Sequence, residues 1–309
     1  MMKQLIKDQV KKLPGFRKLV YFFNTVRCLE AKVSSLEAKV SSLEAEVNGL
    51  KTRTDAIQDR YELKCRLFVE GLDNVKSDQL RALGSCPSEK PRLAVYTSLI
   101  GDYDELQTPL IVEPGCDYFC ITDNPNLKSA FWTIIHVENK EGLDNVRFQR
   151  KMKLMPHLFF PQYEHSLYVD TSILIRGSVW DWIERNTTGK PWLAFLHPER
   201  DCVYQEAEAC KVLQNDNSEL IDAQMARYRE EGYPEHGGLT WNAILYRRHM
   251  EAAVISLEEA WFDEIVKGSR RDQLSFNYAC WKNGFQYDVC KEDYHLSFLW
   301  ALYHDGLPR

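Results

Sequence analysis

Ser166-Leu167-Tyr168-Val169-Asp170-Thr171-Ser172 reads as a short apolar strand that ends on an acid. Ile173-Leu174-Ile175 continues beyond it. Working outward, Leu93-Ala94-Val95-Tyr96-Thr97 follows Pro91 as a buried first strand, and a turn-rich stretch with Gly101, Asp102 and Asp104 comes next. Asp117-Tyr118-Phe119-Cys120-Ile121-Thr122 is a second strand, stopped by Asp123-Asn124-Pro125. Trp132 to Val137 is a third, and Arg147 to Phe160 reads as a helix with Lys and Arg at its start. Strands alternating with helices predict a mainly parallel sheet covered on both faces. Ligands of such sheets sit at the carboxyl ends of the strands, where Asp170 falls.

The rest of the 309 residues divides into segments. Residues 1–28 carry seven Lys and Arg against Asp8 alone, a net of +6 in a chain of −6, so the remainder carries −12. Leu5, Ile6, Val10, Leu13, Phe16, Leu19 and Phe23 alternate with those cations. Such a basic amphipathic segment is expected to lie on an anionic membrane surface, the alternative being a helix packed on its own body. An acidic body argues against nucleic acid as a partner. In 29–64, LEAKVSS occurs at 29–35 and again at 36–42. Leu29, Val33, Leu36, Val40, Leu43, Val47 and Leu50 step by four and three, a heptad seam with Val at a and Leu at d. Lys32–Glu37, Lys39–Glu44 and Glu46–Lys51 are opposite in sign in a parallel, in-register pair. A parallel coiled-coil homodimer is expected, with a rod of roughly 54 Å at 1.5 Å per residue. Residues 65–91, with Gly84, Pro87 and Pro91, read as a connector, and 92–309 as one α/β domain.

No window has the 18 or so continuous apolar residues of a membrane span, and nothing marks export, so a cytoplasmic chain, peripheral on the inner face of the membrane, is expected. The nine Cys are odd in number and lack a CxxC, which suits reduced, buried thiols. No GxGxxG, GxxxxGK[ST], HExxH or GxSxG is present, which removes the simple dinucleotide, P-loop, zincin and serine-hydrolase readings. Aromatic residues make up 12%, which suits a thick core and a sugar- or base-facing cleft.

Six places could carry chemistry. Asp170 could hold a hard divalent cation, Mg²⁺ or Mn²⁺, or could be a turn or cap residue. Arg150 and Lys153 are three apart on one helical face and could grip phosphate, or be a solvated basic face. Asp272 could take a proton from a hydroxyl nucleophile, with the Gln273 amide beside it on a sugar hydroxyl; an acid also simply suits a first helical turn. His236-Gly237-Gly238 could bring backbone close to a ligand. His295 is a candidate late metal ligand, since neutral imidazole binds such ions. His197-Pro198-Glu199-Arg200-Asp201 is a further polar loop.

The order Tyr96-Thr97, Gly101-Asp102-Tyr103-Asp104, Asp117-Tyr118-Phe119, Thr122-Asp123, Arg150, Lys153, Tyr168-Val169-Asp170, His197, Arg200, Glu206 and Arg271-Asp272-Gln273-Leu274-Ser275-Phe276 resembles a known family. It is similar to domain of unknown function 616, a glycosyltransferase-like family with plant members linked to mucilage and wall polysaccharides. The resemblance covers Arg92 to His295. It implies a GT-A-like fold, a Rossmann-like mixed sheet flanked by helices, that binds a UDP-linked nucleotide-sugar donor at the sheet's carboxyl edge. It implies Tyr96, Thr97 and Asp123 near nucleobase and ribose, and Arg150 and Lys153 near the diphosphate. Asp170 would stand at the Asp-x-Asp metal motif, and Asp272-Gln273 near donor sugar and acceptor. The chain departs from that motif at Ser172, where the second acid would stand.

The expected function is glycosyl transfer to a glycan or lipid-linked glycan in surface-polysaccharide assembly. The alternatives are a catalytically inactive sugar-binding coiled-coil scaffold, which Ser172 favours, and a glycoside hydrolase using Asp170 and Asp272 as paired carboxylates.

Overall fold

A computed structural model of the chain describes residues 91–292 apart from 102 and 103, the backbone of 299–301, and a few positions near the start. The chain divides into two compact units, Met1–Leu67 and Phe68–Arg309. In the first unit Lys32, Val33, Lys39, Val40, Ser41, Leu43 and Val47 are helical, and Val33, Val40, Leu43 and Val47 are exposed. The rest of the heptad seam, nearly all of the basic segment 1–28, and the connector up to residue 90 lie outside the described residues.

The second unit is built on nine described strands: β1 Leu93–Leu99, β2 Cys116–Thr122, β3 Thr133–His136, β4 His165–Val169, β5 Ile173–Ile175, β6 Trp192–Leu196, β7 Thr240–Arg247, β8 Asp288–Cys290 and β9 Leu299–Ala301. Among the described residues six α-helices accompany them: α1 Asn145–Leu154, α2 Val179–Asn186, α3 Val203–Val212, α4 Ser218–Glu230, α5 Ala252–Lys267 and α6 Phe276–Lys282. Seven strands form one sheet in the order β3-β2-β1-β4-β7-β6-β8. The sheet is parallel apart from β7, which runs antiparallel to both β4 and β6. Beyond Asp170 the chain leaves this sheet, and β5 pairs antiparallel with β9 in a separate ribbon.

Every residue of β1 is buried, as a central parallel strand requires. Its side chains alternate between two cores. Leu93, Val95 and Leu99 join Leu167, Val169, Leu193 and Phe195 under α2. Ala94 and Tyr96 join Tyr168, Trp192 and Leu245 under α1, α5 and α6. The helices on both faces are what the alternating pattern predicted. A third cluster, with Tyr204, Ile221, Met225 and Tyr278, packs α3 and α4 against α6.

Strand bounds shift by a residue or two, and one helix differs more. The helix predicted over Arg147 to Phe160 starts at Asn145 and ends at Leu154. Asp144 caps its start by accepting the Val146 and Arg147 amides. Its end is set by Pro156, which removes an amide and pushes Met155 out of the helical region. A single 3₁₀ turn, Pro156–Leu158, follows.

The carbonyls left over at that end are held by buried charge. The Arg247 guanidinium donates to Lys153 O at 2.9 Å, and the Tyr96 hydroxyl donates to the same oxygen at 2.6 Å. Arg247 pairs with Glu258 at 3.1 Å, both fully buried, and Glu258 lies 2.7 Å from His157. A buried pair of this kind tolerates loss of neither partner. It fixes the last turn of α1, and with it Lys153.

Candidate active site

The carboxyl ends of β1, β4 and β6 and the start of β7 open into a cleft of about 830 Å³. This is the edge at which a sheet of this kind receives its ligands. Gly101, just past β1, forms part of its wall with φ +76°, and a Cβ there would press on Asn145 at 3.3 Å. Helix α1 supplies another wall along its length, with Gln149, Arg150 and Lys153 facing in.

At the floor, one cation sits between two acids. Lys153 Nζ is 2.7 Å from Asp272 and 3.5 Å from Asp170. Arg150 Nε is 3.6 Å from the other Asp272 oxygen. Lys153 is 2% exposed and Asp272 5%, whereas Asp170 is 32% exposed to the cleft. Burial would raise the Asp272 proton affinity, but Arg150 and Lys153, with Arg271, overcome it and hold the carboxyl well below the usual range.

A polar chain fixes Asp170. Gln149 donates to Ser98 Oγ and to the Tyr168 hydroxyl, each at 2.8 Å. Tyr168 donates in turn to Asp170 at 2.7 Å, and Arg150 donates to the side-chain oxygen Oε1 of Gln149. The Tyr168 ring also lies 4.9 Å from the Lys153 ammonium. Tyr168 and Asp170 are two apart along a strand, and Gln149 and Lys153 are four apart on a helix, so each pair shares a face. That spacing was the signal from which Gln149 could have been found; Ser98 joins only through the fold, from β1.

Asp272 opens the 3₁₀ turn Asp272–Leu274 rather than an α-helix; α6 starts only at Phe276. The approach to the turn is held by Gln224 on the Ser269 amide and by Asp216 on the Ser269 hydroxyl and Arg270 amide. The Trp261 indole donates to Asp272 O at 3.1 Å. Gln273 lines the cleft and accepts from Arg271 at 3.0 Å.

The opposite wall carries His197, Arg200 and Glu206. His197 Nδ1 accepts the Glu199 and Arg200 amides, which leaves its proton on Nε2, 3.6 Å from Glu206. Burial pushes its proton affinity down, so the ring is a neutral donor. Arg200 donates to Glu206 at 2.6 Å. Trp241 and Asn242, from the start of β7, complete this side.

The cleft thus brings together Arg150, Lys153, Asp170, Asp272 and Gln273, the residues singled out for phosphate, metal and proton transfer. Others fall elsewhere. Tyr96 is fully buried with its hydroxyl on Lys153 O, so it supports α1 from beneath instead of facing a nucleobase. Thr97 is buried beside it on the sheet's other face. Asp123 accepts the Gly101 amide at 3.0 Å, which fixes the loop after β1, and lies in a neighbouring groove with His136 and Lys151. His236 is exposed and paired with Asp201 at 2.6 Å. Gly237 is packed against its own loop, where a Cβ would meet the Tyr233 hydroxyl at 2.9 Å. Neither residue of that loop lines the cleft. His295 lies outside the described residues.

The metal expected at Asp170 does not fit these side chains. A hard divalent cation asks for several oxygen ligands. Asp170 offers one carboxylate, whose Oδ1 already receives Tyr168 and faces Lys153, and Ser172 replaces the second acid. Among the described residues no group of three His, Cys, Asp or Glu is placed to hold a metal ion.

Comparison with known proteins gives the family. Residues 117–291, more than half of the chain, match the model described as TOD1/MUCI70, glycosyltransferase-like domain, and the chain belongs to that family. A relative from Arabidopsis thaliana, named a probable hexosyltransferase MUCI70, is 26% identical over 162 residues, which make up 49% of this chain. The chain spans 28% of that curated relative's length.

Proposed function

We propose that the chain transfers a hexose from a UDP-linked donor to a glycan or lipid-linked glycan acceptor, on a domain of GT-A type. One observation carries this reading: in a glycosyltransferase-like chain, Arg150, Lys153, Asp170 and Asp272 converge within 3.6 Å of one another's partners at the carboxyl edge of the sheet. The name of the plant relative supports the hexose. The single antiparallel strand in an otherwise parallel sheet supports the GT-A type.

In this reading the donor diphosphate lies over Arg150 and Lys153. The bond from the anomeric carbon to the diphosphate breaks and its electron pair leaves on the diphosphate. The two cations stabilise that charge as it develops. The acceptor hydroxyl oxygen forms the new bond, and its proton passes to Asp272. The same two cations make Asp272 a poor base in the empty cleft. A diphosphate between them adds negative charge beside the carboxylate and raises its proton affinity, so the base strengthens when the donor is in place. Gln273 and the neutral His197 donate to sugar hydroxyls, and Trp241 lies against a sugar face.

The hydrolase alternative is disfavoured by the same geometry. A glycosidase needs one carboxyl held protonated as the acid, with its proton affinity raised. Here Lys153 stands between the pair, and Asp272 is shifted the opposite way.

The test is donor consumption by the purified full chain across UDP-hexoses, with oligosaccharide acceptors present. Acceptor-dependent release of UDP from one donor is expected. Binding of UDP with no turnover under any pairing would replace the transferase with the inactive scaffold.

A further inference from the structure

We infer that the Lys153 ammonium does the work of a divalent cation in this cleft, and that Asp170 and Asp272 are the carboxylates that hold the ammonium in place. The inference rests on the transferase reading for the identity of the leaving group, but the arrangement of the site stands apart from it.

Three observations lead there. Lys153 enters from the last turn of α1, whose carbonyls are held by the buried Arg247–Glu258 pair, so its backbone has little freedom. Its Nζ lies between an oxygen of Asp272 at 2.7 Å and one of Asp170 at 3.5 Å, with 2% of the side chain exposed. The position two residues after Asp170, where a second acid would complete a metal site, is Ser172. A dication bound to Asp170 would stand a few ångströms from a buried ammonium, and like charges that close repel strongly. The Lys153 side chain supplies a charge, a hydrogen-bond donor and a fixed position, which are what a diphosphate leaving group requires. Arg150 adds a planar guanidinium on the same helix face, one turn earlier.

The role is one of charge and position. As the anomeric C–O bond breaks, the electron pair moves onto the diphosphate, and the ammonium and guanidinium neutralise it without gaining or losing a proton. No other reactant is needed, so chelators should not stop the reaction.

Two measurements test this on the full chain. In the first, Mn²⁺ is titrated with the protein and followed by its six-line electron paramagnetic resonance signal, with and without UDP. The signal is expected to match protein-free controls. Stoichiometric loss of signal that disappears in Asp170→Asn would overturn the inference. Loss that persists in Asp170→Asn lies at another place on the chain and leaves the inference standing.

In the second, UDP binding is measured by calorimetry in EDTA and in Mn²⁺. Affinities within about twofold are expected, and a tenfold or greater tightening by Mn²⁺ would overturn the inference. Lys153→Met should weaken UDP binding in EDTA by at least about tenfold. Should that variant fail to fold, Arg150→Gln, closer to solvent, is read in its place with the same expected direction. If UDP binds under neither condition, the donor reading falls, and the Mn²⁺ titration still decides whether an ammonium or a metal sits between the two carboxylates.

Discussion

Asp272 shows how one side chain can serve both structure and chemistry. Its carboxylate is buried, yet Arg150, Lys153 and Arg271 keep it ionised. Asp272→Asn removes the base proposed above and leaves Lys153 without its nearest counter-charge. Turnover per folded molecule is expected to fall by about 10²–10⁴, the usual worth of a positioned acid–base group. Because one partner of a buried pair is lost, stability should drop as well, by roughly 3–5 kcal/mol. Thermal denaturation read beside the rate separates the two; near-normal turnover in a folded variant would remove Asp272 from proton transfer. A second residue gives a pH signature. His249 is fully buried with Nε2 on Phe160 O at 3.0 Å, and burial pushes its pKa down to about 4. The unfolded chain takes up this proton near pH 6.5, the folded one only near pH 4, so the unfolded state binds more protons in between. Stability from this group is therefore complete above about 6.5 and declines as pH falls toward about 4. His249→Gln should flatten that part of a melting-temperature profile, and an unchanged slope would assign the pH dependence to other groups.

Among the elements, α1 matters most, because one short helix carries Gln149, Arg150 and Lys153 into the cleft. Its N-terminus depends on Asp144, which accepts two backbone amides at 3.1 Å and pairs with Arg147 at 2.7 Å. Arg147 reaches on to Ile265 O and Gly268 O, tying the helix to the end of α5. Asp144→Ala should cost about 1 kcal/mol, the ordinary worth of an N-cap. Urea denaturation checks it, and a loss below a few tenths of a kcal/mol would mean that the Arg147 links alone hold the end. The sequence allowed much of this to be read. Alternating apolar runs placed the strands, and the spacing of Arg150 and Lys153 placed two cations on one face. It did not reveal that α1 stops at Leu154 and is sealed by Arg247, because that contact joins residues 94 apart in sequence. Nor did it separate Tyr96 from the cleft. A tyrosine on a central strand can face either layer, and only the register with β4 puts it under α1. The loop at His236 looked suited to a ligand for its glycines, yet Gly237 packs against Tyr233 of its own loop and Gly238 holds a turn at φ +90° beside Asn277.

At the scale of the whole molecule, the question is how an acidic body proposed to act on a lipid-linked glycan would reach it. Among the described residues, no helix is long and apolar enough to cross a membrane. We propose that the basic segment 1–28 brings the chain to an anionic membrane surface. A single such segment binds weakly, and two held side by side bind far better, since the second contact forms at high effective concentration. The heptad seam of 29–64 would provide that pairing, and a parallel register sets both basic segments at the same end. Val33, Val40, Leu43 and Val47, exposed in the single chain, are the seam residues that a second chain would cover. The full chain should therefore run at twice its monomer mass in light scattering. Val40→Lys with Leu43→Lys puts like charges face to face across the seam. That variant should run as a monomer with UDP binding intact, and should lose most of its binding to vesicles containing anionic lipid. A variant still dimeric would show that the seam is not the main interface. A monomer that binds vesicles as tightly as the wild type would show that pairing contributes nothing at the membrane.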